Sequence, residues 1–500
     1  MKTRTSRRRF LGVGLAGLAA GWTTRKARAA EVPERAETEK TLRAGAAMVD
    51  VTPQKFPVIV NGGVAERTAD RAIDPLNVRC LVLDDGTGPI AIATVDNCMV
   101  PRALLDQAKE LARQATGIAT ERMLISATHT HSAPSVVGCL GSDCDEDYAA
   151  LLPGRIAAAI EAAQKNLAPA RIGWAMGEDP TNVFCRRFLM KPGTALTNRF
   201  SDKRDDRAQM NPGYLNPNAV RPTGRPDPQV AVLSVQTPEG RPIALLSNYS
   251  THYVGSPAVS ADYFAVFATR IGQLLGAGDG SPPFVGMMSN GTSGDANCCN
   301  FPEAPRRFDR FTVAEDVAQA ALKAYKTIRH HDRVPIAMRQ KLLELNVRMP
   351  TEKEVAEAKE FMKTFAGRKP RNWIEVYARE TVLLDAMPPT RELKLQAIRI
   401  GSLGITAIPN EVFSATGLAI KAASPLKPTF NISLANGGEG YLAPPDQHEL
   451  GGYTTWRART SCLEVDAEPK IRAAVLGLLE SVADHDSISR SAVRSGASRP

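Results

Sequence analysis

Short apolar runs of strand length alternate with longer runs of helical period along most of this chain, and that alternation limits the fold more than any other feature. RCLVLDD at 79–85 and PIAIATVD at 89–96 precede the amphipathic ALLDQAKELARQA at 103–115, and MLISA at 123–127 precedes LLPGRIAAAIEAAQKNL at 151–167. The rhythm returns between 230 and 328 in VAVLSVQT, PIALLSNYSTH, YFAVFATRIGQLLG, FVGMMSN and AEDVAQAALKAYKTI. It comes again in LQAIRIGSLGITAIPN at 395–410, two strands joined by a glycine turn that lead into a helix over 412–423. Strand followed by helix, repeated, predicts an α/β protein whose β-sheets are flanked by helices. With 43% of its residues apolar, a chain of this length can bury a large core, and the pattern predicts one large domain over 44–485. The residues show no internal repeat and no heptads.

One stretch breaks the rhythm. Residues 192–228 are rich in Pro, Asn, Gly and Arg with almost no apolar period, which predicts a long structureless loop of the kind that covers a functional site. Residues 30–43 read as a loose polar arm and 486–500 as a disordered tail.

The formal charge of +9 would suit a nucleic-acid or membrane-surface partner if it were spread over the folded body. Eight of the basic residues (Lys2, Arg4, Arg7, Arg8, Arg9, Arg25, Lys26 and Arg28) instead lie in residues 1–29, which contain no acid, so their removal leaves +1. That argues against a nucleic-acid partner. Residues 1–29 have a charged start, an apolar stretch from Phe10 to Trp22 and an Ala27-Arg28-Ala29 ending, the pattern of an export signal. Ser6-Arg7-Arg8-Arg9-Phe10-Leu11 gives it the twin-arginine form, and the glycines at 12, 14, 17 and 21 weaken its apolar part. The stretch falls short of the ~20 residues that span a bilayer, and no other segment reaches that length. The expected location is periplasmic or extracellular, with no transmembrane segment in the mature chain. The twin-arginine route carries folded proteins, which raises the expectation of a metal installed before export. Nothing in the sequence fixes the oligomeric state.

Histidine is scarce, with seven in the chain, yet His129 and His131 stand one residue apart in SATHTHSAP. If the strand over 123–127 continues, side chains two apart share a face just beyond its carboxyl end, where ligand sites of α/β sheets collect. One imidazole could then hold a metal while the other serves a substrate; two hydrogen-bonding loop histidines are the plainer alternative. His252 follows the strand-like IALLSNYSTH and Glu411 follows ITAIPN, so three ligand-capable side chains emerge at three strand ends. A catalytic zinc is held by three protein ligands that leave a position open for water. Taken singly, Glu411 could instead be a first-turn carboxylate behind an Asn410 cap. Of the eight cysteines, Cys139 and Cys144 are spaced to bridge a loop beside the histidines, while Cys80 and Cys98 in strand-like runs read as buried apolar residues.

These motifs together resemble the neutral, non-lysosomal ceramidases, specifically their amino-terminal catalytic domain, over roughly residues 44–465. The landmarks are AGAAMVDVTP, ISATHTHSAP, FCRRF, SNYSTHYVGS followed by SADY, SNGTSGDAN, IPNEVF and GYLAPPDQHELGGYTTW, in the family's order. The resemblance implies a zinc ion on His129, His252, Glu411 and Tyr441. It assigns His131, Arg186 (or Arg187, one residue away in register) and Tyr453 to the substrate, with twelve residues between the two tyrosines as in the family. The implied chemistry is hydrolysis of an N-acyl amide bond by metal-bound water, with His131 passing a proton to the leaving amine and Arg186 and Tyr453 donating to the oxyanion. Without the resemblance, both tyrosines read as loop aromatics. Asp262 and Asp295 are candidates to orient a ligand imidazole, or else turn-forming aspartates.

The chain departs from the family in two places. Asn297 stands where the family's proposed nucleophilic serine lies, in Gly294-Asp295-Ala296-Asn297-Cys298. An amide is no nucleophile, although it can hydrogen-bond the carbonyl, so direct attack by water is expected rather than an acyl-enzyme. The chain after Tyr453 is also too short for the family's β-rich carboxyl-terminal domain. The substrate is therefore expected to be a lipid or small-molecule amide; a zinc hydrolase of a smaller non-lipid amide or ester, or a metal-containing binding protein without turnover, are the alternatives.

Overall fold

The computed structural model describes residues 41–203, 205–278 and 280–484. The expected export signal over 1–29, the expected arm as far as residue 40 and the expected tail over 486–500 lie outside them. Leu42, near the end of that arm, is already buried and donates its N–H to the Asp332 carbonyl.

Three main sheets are laid down in the same way. Arg43–Asp50 pairs antiparallel with Asn77–Asp84, and that strand pairs antiparallel with Ile90–Val95; after the helix Arg102–Thr116 the chain returns as Met123–Ala127, parallel to Ile90–Val95. Arg171–Glu178, Gln229–Gln236 and Pro242–Tyr249 repeat the antiparallel part, and the helix Asp262–Leu274 leads to the parallel strand Val285–Asn290. Ile336–Asn346, Thr390–Ile400, Leu403–Ala407, the helix Ser414–Ala423 and the parallel strand Thr429–Ile432 do so a third time. A last helix then packs on the first two strands of each sheet: Glu146–Lys165, Arg310–Tyr325 and Ala467–Ala483. The α/β architecture expected from the sequence is thus present, and it is a threefold repeat of one strand order. Antiparallel neighbours can be joined by tight turns, such as the one where Gly401 adopts φ 58°, whereas a parallel neighbour requires a crossover helix.

Burial on both faces explains the near-continuous apolar runs. Leu81, Leu83, Ile90 and Ile92 of the first sheet, Leu233 and Leu246 of the second, and Ile398 and Ile405 of the third meet in one central core. Alternate residues such as Cys80, Val82, Ala91 and Ala93 face the helices outside. The carboxyl ends of the parallel pairs converge: the Ser433 N–H donates to the Asn290 carbonyl and the Ala127 N–H to the Leu434 carbonyl.

The segment 192–228 is not structureless. Ala208–Met210 and Ala219–Pro222 pair on either side of Arg187–Met190 in a three-stranded sheet. Strands of three and four residues are too short to display a period of two, which is why the sequence gives no sign of them. Among the described residues, no helix is long and apolar enough to cross a membrane.

Candidate metal centre and active site

Each repeat sends one acceptor to a common point. His129 follows Met123–Ala127, His252 follows Pro242–Tyr249 and Glu411 follows Leu403–Ala407. His129 Nε2 lies 3.2 Å from His252 Nε2 and 3.2 Å from Glu411 Oε2, and one ligand atom from each of the three falls within 4.8 Å of the others. His131 Nε2 is also 3.2 Å from His129 Nε2. All four side chains are buried.

The far ring nitrogens determine what these atoms present. His129 Nδ1 is 2.7 Å from the Cys98 carbonyl oxygen and His131 Nδ1 is 2.9 Å from the Gly62 carbonyl oxygen. A carbonyl only accepts, so in the neutral imidazoles both Nδ1 atoms carry the proton and both Nε2 atoms present lone pairs. Burial, then the neighbouring imidazole and the Arg186 guanidinium, push His131 well below the ordinary histidine range; burial and Arg186 do the same to His252. Glu411 Oε2 faces the imidazoles without a hydrogen-bond donor. His129 Nε2 and Glu411 Oε2, acceptors 3.2 Å apart in a buried place, repel one another unless a cation sits between them or His252 Nε2 turns its proton toward them.

The rings of His129 and His131 meet edge to face, 4.6 Å between centroids, but strand alternation is not the cause. The strand stops at Ala127, and His129 turns the chain with φ 75°, its N–H held by the Asn97 carbonyl. His131 is then clamped from three sides. Tyr253 stacks on it at 3.8 Å and 16°, Arg67 donates to its carbonyl, and Gly62, at φ 96°, approaches so closely that a Cβ there would stand 2.3 Å from Nδ1. The sequence reading missed Gly62, Tyr253 and Cys98 as site residues. Only Tyr253 carried a signal, since it adjoins His252.

Tyr441 is set beside Glu411 by a short parallel pairing in which Tyr441–Leu442 lies along Glu411–Val412, Tyr441 opposite Glu411. Its hydroxyl is 2.7 Å from that of Tyr453 and 3.4 Å from Arg186 Nη2, which also donates at 3.0 Å to the Gly294 carbonyl. Burial and the Glu411 carboxylate push Tyr441 far above the usual tyrosine range, so it stays a phenol unless a cation offsets them. Burial works against the Arg186 charge, but Tyr453, Tyr441 and Glu411 more than restore it. Its Nε has no partner. Arg187 points elsewhere, donating at 3.0 Å to Gln447 Oε1 and at 3.2 Å to Thr454 Oγ1, so the register alternative does not reach the centre.

Asn297 is engaged at both ends of its amide: Nδ2 donates to Asn211 Oδ1 at 3.1 Å and Oδ1 accepts from the Cys299 N–H at 2.9 Å. It ties residues 294–298 to the 192–228 segment, and the Asn211 N–H in turn donates to the Arg186 carbonyl. Neither candidate aspartate hydrogen-bonds an imidazole. Asp262 accepts from the Val254, Gly255 and Tyr263 N–H groups and shapes the loop after His252, while Asp295 accepts from the Ser414 N–H. The orienting role falls to the Cys98 and Gly62 carbonyls. All eight cysteines, Cys139 and Cys144 included, are unbridged.

No family model and no curated protein matches the chain. Among solved structures it is similar to a neutral ceramidase from Pseudomonas aeruginosa, at 16% identity and a TM-score of 0.64 over 89% of this chain and 75% of that one. It is similar also to a ceramidase complexed with C2, at 14% identity and a TM-score of 0.64 over 89% of this chain and 76% of that one. At such identities the likeness establishes the fold, and it is the fold that the sequence motifs implied.

Proposed function

We propose that this chain is a member of the neutral ceramidase family, a zinc-dependent hydrolase of N-acyl amide bonds, exported by the signal in residues 1–29. The observation that carries the reading is the convergence at one buried point of His129 Nε2, His252 Nε2 and Glu411 Oε2, of which His129 Nε2 and Glu411 Oε2 face each other as acceptors 3.2 Å apart. Two imidazoles, a carboxylate and the Tyr441 phenol form a donor set that suits zinc. When bound there, zinc supplies Lewis acidity toward the amide carbonyl and the incoming water.

The remaining groups are the chain's own. Arg186 and the Tyr453 hydroxyl, both of which meet the Tyr441 hydroxyl, would donate to the carbonyl oxygen as negative charge develops on it. Neutral His131 keeps its proton on Nδ1 against Gly62, so Nε2 is free to take a proton from the attacking water and hand it to the amine nitrogen as the C–N bond breaks. Asn297, with its amide occupied, supports direct water attack over a covalent intermediate.

The test is elemental analysis of the purified protein, followed by release of carboxylate from N-acyl amides before chelation, after it, and after zinc is restored. One zinc per chain and activity that follows the metal are expected. Undiminished turnover after complete chelation would sink the reading.

A further inference from the structure

A cavity of about 220 Å³ is walled in part by Tyr453, whose hydroxyl lies 2.7 Å from that of Tyr441. Leu196 and Met210 of the 192–228 segment, Trp373 of the segment between the first two strands of the third sheet, and Tyr453 and Trp456 wall it, with Asn211 at its polar edge. The Trp373 ring is 5.4 Å from Tyr453 and 5.9 Å, edge to face, from Trp456, so aromatic rings close much of its boundary. The walls are tied to one another: the Asp206 carboxylate accepts from the Gly452 N–H at 2.6 Å and from Trp456 Nε1 at 3.0 Å.

The cavity adjoins the groups that would face an amide carbonyl. Tyr453 is a wall of it, and Asn211 bonds directly to the backbone of Arg186. None of its residues is among those that clamp His131, namely Gly62, Arg67 and Tyr253. A bound amide with its carbonyl oxygen toward Arg186 and Tyr453 and its nitrogen toward His131 would bring its acyl side toward Tyr453, the wall that the cavity shares with these groups.

We infer that this aromatic cavity receives the acyl chain of the substrate and selects short or aromatic acyl groups over long lipid chains. The inference rests on the hydrolase reading above and narrows its substrate class. At ~30 Å³ per heavy atom, the share of one water in the liquid, the cavity holds about seven. A hexanoyl, octanoyl or phenylacetyl group matches that volume; a palmitoyl chain exceeds it about twofold.

The test uses the zinc-loaded enzyme and one amine acylated with chains from acetyl to palmitoyl. kcat/KM is expected to peak near hexanoyl to octanoyl and to fall by ~10-fold or more at palmitoyl, the discrimination a hydrophobic pocket achieves over a few methylenes. Trp373→Ala shifts the optimum to longer chains. Leu196→Phe, at a position 51% exposed that needs no yielding of the core, shifts it to shorter ones. Titration calorimetry with free octanoate and palmitate supplies a readout that needs no turnover: octanoate binds more tightly, and Leu196→Phe weakens it. Equal rates from octanoyl to palmitoyl, or octanoate binding that neither substitution alters, overturn the inference and leave the hydrolase reading intact. Octanoate binding with the expected response to both substitutions, but no hydrolysis of any acyl amide, overturns the hydrolase reading and keeps the cavity as an acyl site.

Discussion

His129, His252 and Glu411 each lie within four residues of a strand's carboxyl end, one per repeat, whereas Arg186, Gly62, Trp373 and the 192–228 segment belong to the stretches between the first and second strands of each sheet. The strand-end residues inherit their positions from sheet register and from a core that all three sheets share. The inserted residues are placed by side-chain ties to the loops around them, such as Asn211 to Asn297 and Asp206 to Trp456. On the proposed reading, the contrast makes holding a cation and choosing a substrate separable, the one resting mainly on the repeated framework and the other mainly on what interrupts it.

That separation predicts which changes remove metal and which remove only turnover. Glu411→Gln takes away a strand-end carboxylate and is expected to abolish both, by more than the ~10–100-fold that loss of a supporting contact costs; zinc content beside activity reads it. His131→Ala sits on a strand-end loop but serves the substrate, so metal should stay while kcat falls ~10²–10⁴-fold. A zinc-free His131 variant would break the division. Arg186→Met, on the inserted side, should retain zinc and lose ~10²–10³-fold in kcat, the effect of removing an oxyanion donor. Gly62→Ala forces a Cβ against His131 from a backbone at φ 96°; a displacement of that ring by even ~1 Å should cost ~10²-fold in kcat with zinc retained.

The smallest expected effect on activity belongs to Lys109, which touches neither set. Fully buried in Arg102–Thr116, its Nζ donates to Asn436 Oδ1 at 2.6 Å, and Asn436 donates to Gln396 at 2.8 Å, joining the first repeat to the third. Burial pushes its pKa down to about 7. The folded value then lies below the unfolded one of ~10.4, so the unfolded chain binds more protons between these limits. Stability should therefore rise with pH across that window, by at most ~1.4 kcal/mol per unit, and fall as pH drops toward 7. Lys109→Met is expected to flatten this slope and leave kcat unchanged, as denaturant midpoints at pH 7 and 9 would show.

The same contrast decided what could be read from the sequence. His129, His252 and Glu411 were legible because an apolar run directly precedes each and strand ends are where α/β proteins place their sites. Tyr441, Tyr453 and Arg186 emerged only through the family resemblance, since a two-residue pairing such as Glu411 with Tyr441 leaves no pattern in composition. Gly62 was invisible, its contact with His131 being made across 69 residues and depending on a missing side chain. The threefold repeat was hidden as well. Its topology recurs, but the stretches 51–76, 179–228 and 347–389 interrupt it at unequal lengths and erase any fixed period.

The left-handed turn at His129 carries a practical lesson for anyone who engineers this chain. A side chain held at φ 75° costs ~1–2 kcal/mol that glycine would not incur, and crowding lone pairs around it adds to the burden of the unloaded protein. His129→Gly would relieve that strain but empty a buried site and strip the Cys98 carbonyl of its donor, a loss of ~2–5 kcal/mol that outweighs the gain, so the metal-stripped variant should melt lower as well as lose the reaction. The strained turn is therefore locked in by the packing of its own side chain, and heat tolerance has to be sought at other positions.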